Sequence, residues 1–316
     1  MLKLRTRLSD LAVLGLFALV SLSPRAGYAQ QPTDSPTVPV TTVVTVLGPK
    51  FSAPPALGKN DVIVRTKDHR ENVIKWVPAQ GQHAGLNLAI LIDDGTDLGN
   101  YLDEVRRFIL AQPKDARVGL FYASTGMTQT ISPFSADHEA VVQKLRITLG
   151  RTGISTSIYL SLIDVLKKLQ SLPGRREILL IADGHDRLRG DLPESPDLDS
   201  AMDGAVKTGI VVHTLYARVG FIGRLSFDLT LAQSNLAKLA GETGGQAFFQ
   251  GLDTPVSFTP FLDQLDMVLH NQYFLTFATA ATNNPKGEFR GFKVTTEQRN
   301  VSIAAPDRVF VPGTPR

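Results

Sequence analysis

Apolar and polar residues change their rhythm twice along this chain. From Leu86 to His270, unbroken apolar runs alternate with stretches whose apolar residues recur every three or four positions. Leu86–Asp93 and Ile178–Asp183 are almost wholly apolar and end in acid, as expected of strands covered on both faces. Asn100–Gln112 places Leu102, Val105 and Ile109 at helical spacing and stops at Pro113. The same reading predicts strands at Ala116–Ala123, Met127–Ser132, Ile210–Ala217 and Gln246–Phe249. It predicts helices at Ser135–Leu149, Ser155–Leu172, Asp228–Thr243 and Phe258–His270. Helices interposed between strands imply an α/β fold: a doubly wound, mostly parallel sheet flanked by helices.

On either side the rhythm is that of short strands. Val43–Leu47, Asp61–Thr66 and Val73–Val77 precede the α/β unit; Tyr273–Thr279, Gly287–Thr295 and Asn300–Ala304 follow it. Each set alone is too small to bury a face, so accessory strands from both termini are expected to pack together. The expected organisation is a leader (1–29), a linker (30–42), a β segment (43–84), the α/β domain (85–270) and closing strands (271–316).

The leader is read from Lys3, Arg5 and Arg7, the apolar run Leu11–Leu22, and small residues ending at Ala29. This is the pattern of an export signal cut near Ala29, and it implies a secreted or periplasmic protein. The run is too short for a membrane span. Cysteine is absent from the whole sequence, so no disulfide supports the fold. The formal charge of +3 belongs to the leader; without it, basic and acidic side chains are equal in number. No basic stripe remains to track phosphates, which excludes a nucleic-acid surface.

Candidate chemistry sits where loops leave the carboxyl ends of the sheet. The two acidic strand ends read Asp93-Asp94-Gly95-Thr96-Asp97 and Asp183-Gly184-His185-Asp186. Here the sequence resembles the von Willebrand factor type A family, whose first strand ends in Asp-x-Ser-x-Ser and whose fourth ends in Asp-Gly. The likeness extends through Leu236–Phe249, Asn271–Leu275 and Leu57–Val62, which resemble passages of bacterial secreted members. It implies a site holding Mg²⁺ or Ca²⁺ through Asp93, Asp97, Thr156 and Asp183, with a partner protein supplying a further ligand. The departures are at Gly95 and Asp97, where the family carries serines. Gly95 has no side-chain oxygen, and Asp97 adds a charge. Either the site holds metal in a more enclosed form, or the metal is lost and the acids cap loops.

The function expected is binding to another protein or a surface polymer, with Thr96, Phe221 and Ile222 as contact residues and contacts that survive chelation. The alternative for Phe221 and Ile222 is packing beneath the accessory strands. Rival readings are a hydrolase using the acidic crevice and a structural subunit of an envelope assembly. Gly-x-Ser-x-Gly, Walker and dinucleotide motifs are absent, and the six histidines lack metal-ligand spacing. His185, the histidine nearest the crevice, reads as a loop residue. Asn300-Val301-Ser302 matches a glycosylation acceptor, a triplet that arises easily by chance.

Overall fold

A computed structural model describes residues 36–67, 69–124, 127–150, 157–186, 188, 195–218 and 226–313. The export-signal region and residues 30–35 lie outside them. The described chain holds two sheets.

The α/β sheet contains β4 (Leu86–Asp93), β5 (Arg117–Ser124), β6 (Met127–Ser135), β7 (Arg175–Ala182), β8 (Val211–Tyr216) and β9 (Ala247–Phe248), in the order β6-β5-β4-β7-β8-β9. This is the doubly wound order, reversing between β4 and β7. Five strands are parallel and β6 runs antiparallel at one edge, so the sheet is mixed.

Period-two alternation divides the core. Leu88, Ile90 and Ile92 face α1 (Leu102–Ala111), α2 (His138–Val142) and α6 (Thr259–His270). Ala89 and Leu91 face α3 (Ile158–Leu169), α4 (Pro196–Thr208) and α5 (Ser226–Thr243). Both sides of β4 are therefore dry, which is why Leu88–Ile92 is an unbroken apolar run.

The remaining strands form a second, antiparallel sheet larger than a pair of accessory segments. It comprises β1 (Thr37–Leu47), β2 (Val62–Thr66), β3 (His69–Pro78), β10 (Gln272–Ala280), β11 (Glu288–Thr296), β12 (Ser302–Ala304) and β13 (Arg308–Val311). Their order, β12-β1-β10-β3-β2-β11-β13, places β10 between the two amino-terminal strands β1 and β3. Phe277 of β10 stacks on Phe292 of β11 at 5.1 Å although two strands separate them, because the sheet curls and closes on its own inner face. Buried Arg175 joins the sheets. It donates to Leu269 O and Gln272 Oε1, both at 2.6 Å, and to Ala84 O at 2.9 Å.

Four expectations are corrected. Residues 37–42 are the first half of β1 rather than linker. Their threonines and valines suit a pleated strand, and Pro39 is tolerated because β12 pairs only with Thr45–Leu47, leaving its own outer edge unpaired by that strand. The helix expected over Ser135–Leu149 shrinks to α2, capped by Asp137, whose side chain accepts from Ala140 N. Helix α4 was not expected; its signals are the cap Ser195, Pro196 in the first turn and Gly209 beyond its end. Strand β13 was likewise not expected. Among the described residues no helix is long and apolar enough to cross a membrane.

Candidate functional site

The reversal of strand order opens a crevice at the carboxyl ends of β4 and β7. Because Ile92 pairs with Ile181, Asp93 at the end of β4 falls opposite Ala182, and Asp183 is the first residue beyond β7. Both are buried. Asp93 organises its own turn: Oδ1 accepts from Gly95 N at 2.9 Å, and its carbonyl accepts from Thr96 N at 3.0 Å and Thr96 Oγ1 at 2.7 Å. Asp183 does the same on its side. Its Oδ1 accepts from His185 N at 3.1 Å, and Oδ2 lies 3.3 Å from the Nδ1 of buried His185.

A second layer holds these turns. Asp94 is gripped by both terminal nitrogens of Arg146 at 2.7 and 2.8 Å and accepts from Leu149 N at 3.0 Å. The guanidinium lies over the Tyr122 ring, 4.1 Å from its centroid, while Tyr122 OH donates to Arg146 O at 2.7 Å. Asp94 holds the Arg146 pKa above its usual value, and burial raises that of Tyr122. Thr148 Oγ1 donates to Thr96 O at 2.5 Å and accepts from Leu98 N at 3.2 Å. These bonds account for the short α2: residues 146–149 leave helical geometry to bind the Asp94–Leu98 loop.

Across the crevice, Tyr159 OH donates to Gly184 O at 2.7 Å, and burial pushes the phenol pKa up. Ser195 Oγ donates to Asp186 Oδ2 at 2.8 Å while accepting from Leu198 N, so the cap of α4 also fixes the loop after β7. Ser157 forms an isolated bridge with Asp186, and its buried hydroxyl has no hydrogen-bond partner.

The structure thus brings Asp93 and Asp183 to adjacent strand ends and separates the other expected residues. Asp97 is exposed, and its Oδ1 accepts from Gly99 N at 3.3 Å. Thr96 is fully buried with its hydroxyl turned to its own loop, which corrects its expected role as a contact residue. Thr156, Phe221 and Ile222 lie outside the described residues. Among the described residues, no three Asp, Glu or His side chains converge where they could share a metal ion. The donor set therefore fits poorly to a hydroxyl-rich cation site: Gly95 offers no side-chain oxygen, and Thr96 Oγ1 is committed to the Asp93 carbonyl.

Sequence reasoning missed a set of exposed apolar side chains on segments at the carboxyl end of the α/β sheet. Met127 at the β5–β6 turn is 69% exposed, Ile147 is 64% exposed and Val256 is 95% exposed. Leu149 and Leu252 are exposed near Ile147 and Val256 in sequence, and Leu188 is exposed on the segment after β7. Each lies on a segment that follows the carboxyl end of a parallel strand or packs on such a loop. Residues 252–256 are tied to the end of β8 by Tyr216 OH donating to Leu252 O and Arg218 N donating to Thr254 Oγ1. Exposure on a loop has no periodicity, so only the fold could reveal the grouping.

No family model and no curated protein matches the sequence. Solved structures do match. An aerotolerance-related membrane protein from Bacteroides fragilis is 16% identical, with 58% of this chain and 98% of that chain covered at a TM-score of 0.44. The ArnB paralog VWA2 from Sulfolobus acidocaldarius is 10% identical, with 88% and 76% covered at 0.38. The VWA domain of Rpn10 is 14% identical, with 58% and 93% covered at 0.36. The α/β unit has a doubly wound strand order, with an aspartate at the end of each of the two strands that flank its switch point.

Proposed function

We propose that this chain is an exported protein-recognition module that binds its partner through the apolar rim at the carboxyl ends of the parallel strands, without a divalent cation. The observation that carries this reading is the rim itself: Met127, Ile147, Leu149, Leu188, Leu252 and Val256 expose large apolar side chains on loops anchored to one end of one sheet. A contiguous exposed apolar patch marks an interaction surface, and loops sharing one end of a sheet can assemble one. The loops below support cation independence. Asp93 and Asp183 each hold their own turn, and Asp94 is paired with Arg146. A hydrolase is disfavoured because His185 is buried, with its ring beside Asp183, and offers no accessible base. Export rests on the basic, apolar and small-residue succession before Gln30.

The test is retention of envelope proteins from the native source on the immobilised chain, in Mg²⁺ and in excess chelator. The triple variant Ile147→Asp, Leu149→Asp, Val256→Asp is run alongside. A protein retained equally in both buffers and lost with the variant is expected. Retention that requires Mg²⁺, or that the variant leaves intact, overturns the reading.

A further inference from the structure

The α/β sheet ends on one side in β6, and the first half of that edge strand is bare. Helix α3 lies against one of its faces, where Thr128 Oγ1 donates to Ser161 O at 3.0 Å. Ser124 pairs with Met127, so two residues separate β5 from β6 and this closing pair is a hydrogen-bonded one. Alternation then turns the N–H and C=O of Gln129 toward Tyr122 of β5, and those of Thr128 and Thr130 outward. Among the described residues, these outward groups have no hydrogen-bond partner. Gln129 and Thr130 are consecutive, point to opposite faces and are both exposed, so neither face buries this stretch.

An uncovered edge is ordinarily guarded by charge, proline or a bulge. The second half of β6 has such guards: Pro133, the register breaks opposite Val118–Phe121, and Arg117, whose Nη2 donates to Phe134 O at 3.2 Å. Met127–Thr130 has none. The run Met127-Thr128-Gln129-Thr130-Ile131 carries no charge and reads nearly alike in both directions. Laid antiparallel on itself about Gln129, it sets Thr128 against Thr130, Gln129 against Gln129 and Met127 against Ile131. The backbone agrees with this register. Thr128 and Thr130, whose polar groups point outward, become the hydrogen-bonded pairs, and Gln129 becomes the non-bonded pair on the axis. Met127, 69% exposed, gains the half-buried Ile131 of the other copy, and paired threonines are favourable across strands. A neutral, self-matching edge selects a second copy over a charged segment.

We propose that β6 is a self-association edge: two copies of this chain pair antiparallel through Met127–Ile131 about a two-fold axis at Gln129, joining their α/β sheets into one. The interface is isologous and closes at two copies. Because the paired strands run in opposite directions, the carboxyl ends of the two parallel sheets, and with them the two crevices, face opposite ways. The pairing stands apart from the recognition reading, which it would make bivalent. One short strand contact is a small interface, so the dimer is weak and concentration-dependent.

The chain has no cysteine, so Gln129→Cys introduces its only thiol. At an axial non-bonded pair the two Cα atoms lie about 4.5 Å apart, within disulfide reach. The variant is oxidised with diamide and run on a non-reducing gel, beside Lys286→Cys at an exposed turn of the second sheet. Sedimentation velocity follows the cysteine-free chain up to about 100 μM, where a small interface still associates. A cross-linked dimer is expected for Gln129→Cys and not for Lys286→Cys. The cysteine-free chain is expected to dimerise, and Gln129→Lys to weaken the dimer about tenfold or more by apposing like charges. Mixing Gln129→Lys with Gln129→Glu should restore association, and Val256→Asp on the rim should leave it unchanged. The proposal is overturned if the chain stays monomeric, if both cysteine variants cross-link alike, if Gln129→Lys leaves the dimer intact, or if the mixed variants do not associate. It is overturned in favour of a strand from another protein if the chain stays monomeric and Thr130→Pro abolishes retention of an envelope protein.

Discussion

Arg146 and Asp94 lie 52 residues apart in sequence and meet in a two-pronged ion pair at 2.7 and 2.8 Å, with the carboxylate almost fully buried. The pair stands behind the first acidic loop of the crevice. Gly150 N bonds to Asp94 O and Thr148 Oγ1 to Thr96 O, so residues 146–150 and 94–98 form one clasped unit. A carboxylate at the mouth of a sheet needs a positive partner; here the chain supplies its own.

Breaking that pair tests its weight. Arg146→Ala leaves Asp94 buried with the Leu149 N–H as its remaining partner of those described above. The expected loss is about 1–2 kcal/mol, below the cost at a fully buried pair because a third of the arginine side chain meets water. Urea midpoints measure it. Adding Asp94→Asn should recover part of the loss, since an amide is cheaper to leave unpaired than a charge.

Glu104 predicts an acid-sensitive joint between α1 and α6. Burial acts to raise its pKa, but hydrogen bonds from Thr259 and Ser257 outweigh burial and hold it below the usual glutamate value. A lowered folded pKa means that the contribution is complete above the unfolded value and is lost as pH falls through the folded one. Wild-type protein should therefore lose more stability than Glu104→Gln between about pH 5 and about pH 3. Parallel loss in the two proteins across that range would contradict the assignment.

The parts of the fold that were legible are those where burial imposes a pattern. Leu86–Asp93 is dry on both faces, so its sequence is almost wholly apolar and its acidic end is conspicuous. Helix α4 escaped because its buried positions include the small Ala201 and Ala205 among aspartates, which gives a weak stripe. Residues 37–42 have linker character from Pro39 within them and Pro36 before them, yet an outer edge left unpaired by β12 is enough to admit them to a sheet. At the site, Asp93 and Asp183 were legible as strand ends. The Asp94–Arg146 clasp was not, since a pairing across 52 residues leaves no local trace. Thr96 was misjudged because a hydroxyl on a short acidic loop can face outward or close the turn, and only the backbone geometry decides.

A buried pair inside the α/β sheet gives a third expectation. His213 Nδ1 accepts from Gln246 N at 3.0 Å, which places the ring proton on Nε2, facing Glu177 Oε2 at 2.9 Å. Neither side chain is exposed. His213→Leu strands a buried carboxylate and should cost about 3–5 kcal/mol. The double variant with Glu177→Leu should be markedly more stable than the single one. Equal stability of the two would show that the pair carries no such penalty.

Two glycine-to-alanine changes should act in opposite directions. Gly184 follows Asp183 in a left-handed conformation, φ +80°, and a Cβ there would meet Ala232 O at 2.4 Å and Leu236 Cγ at 2.8 Å on α5. Backbone strain and a clash with a helix carbonyl cannot both relax, and Gly184 O also accepts the Tyr159 hydroxyl. Gly184→Ala should therefore destabilise the protein by about 2–4 kcal/mol and shift the Asp183–His185 loop. Gly204 lies within α4, where a Cβ would approach Leu166 Cδ1 at an ordinary 3.6 Å. Gly204→Ala should stabilise by about 0.5–1 kcal/mol through helix propensity. Thermal midpoints of the two variants, with amide exchange at His185 as the local probe, check both signs. A Gly184→Ala protein as stable as wild type, with unaltered exchange at His185, would show that α5 can move aside and that the crevice floor is less fixed than its contacts imply.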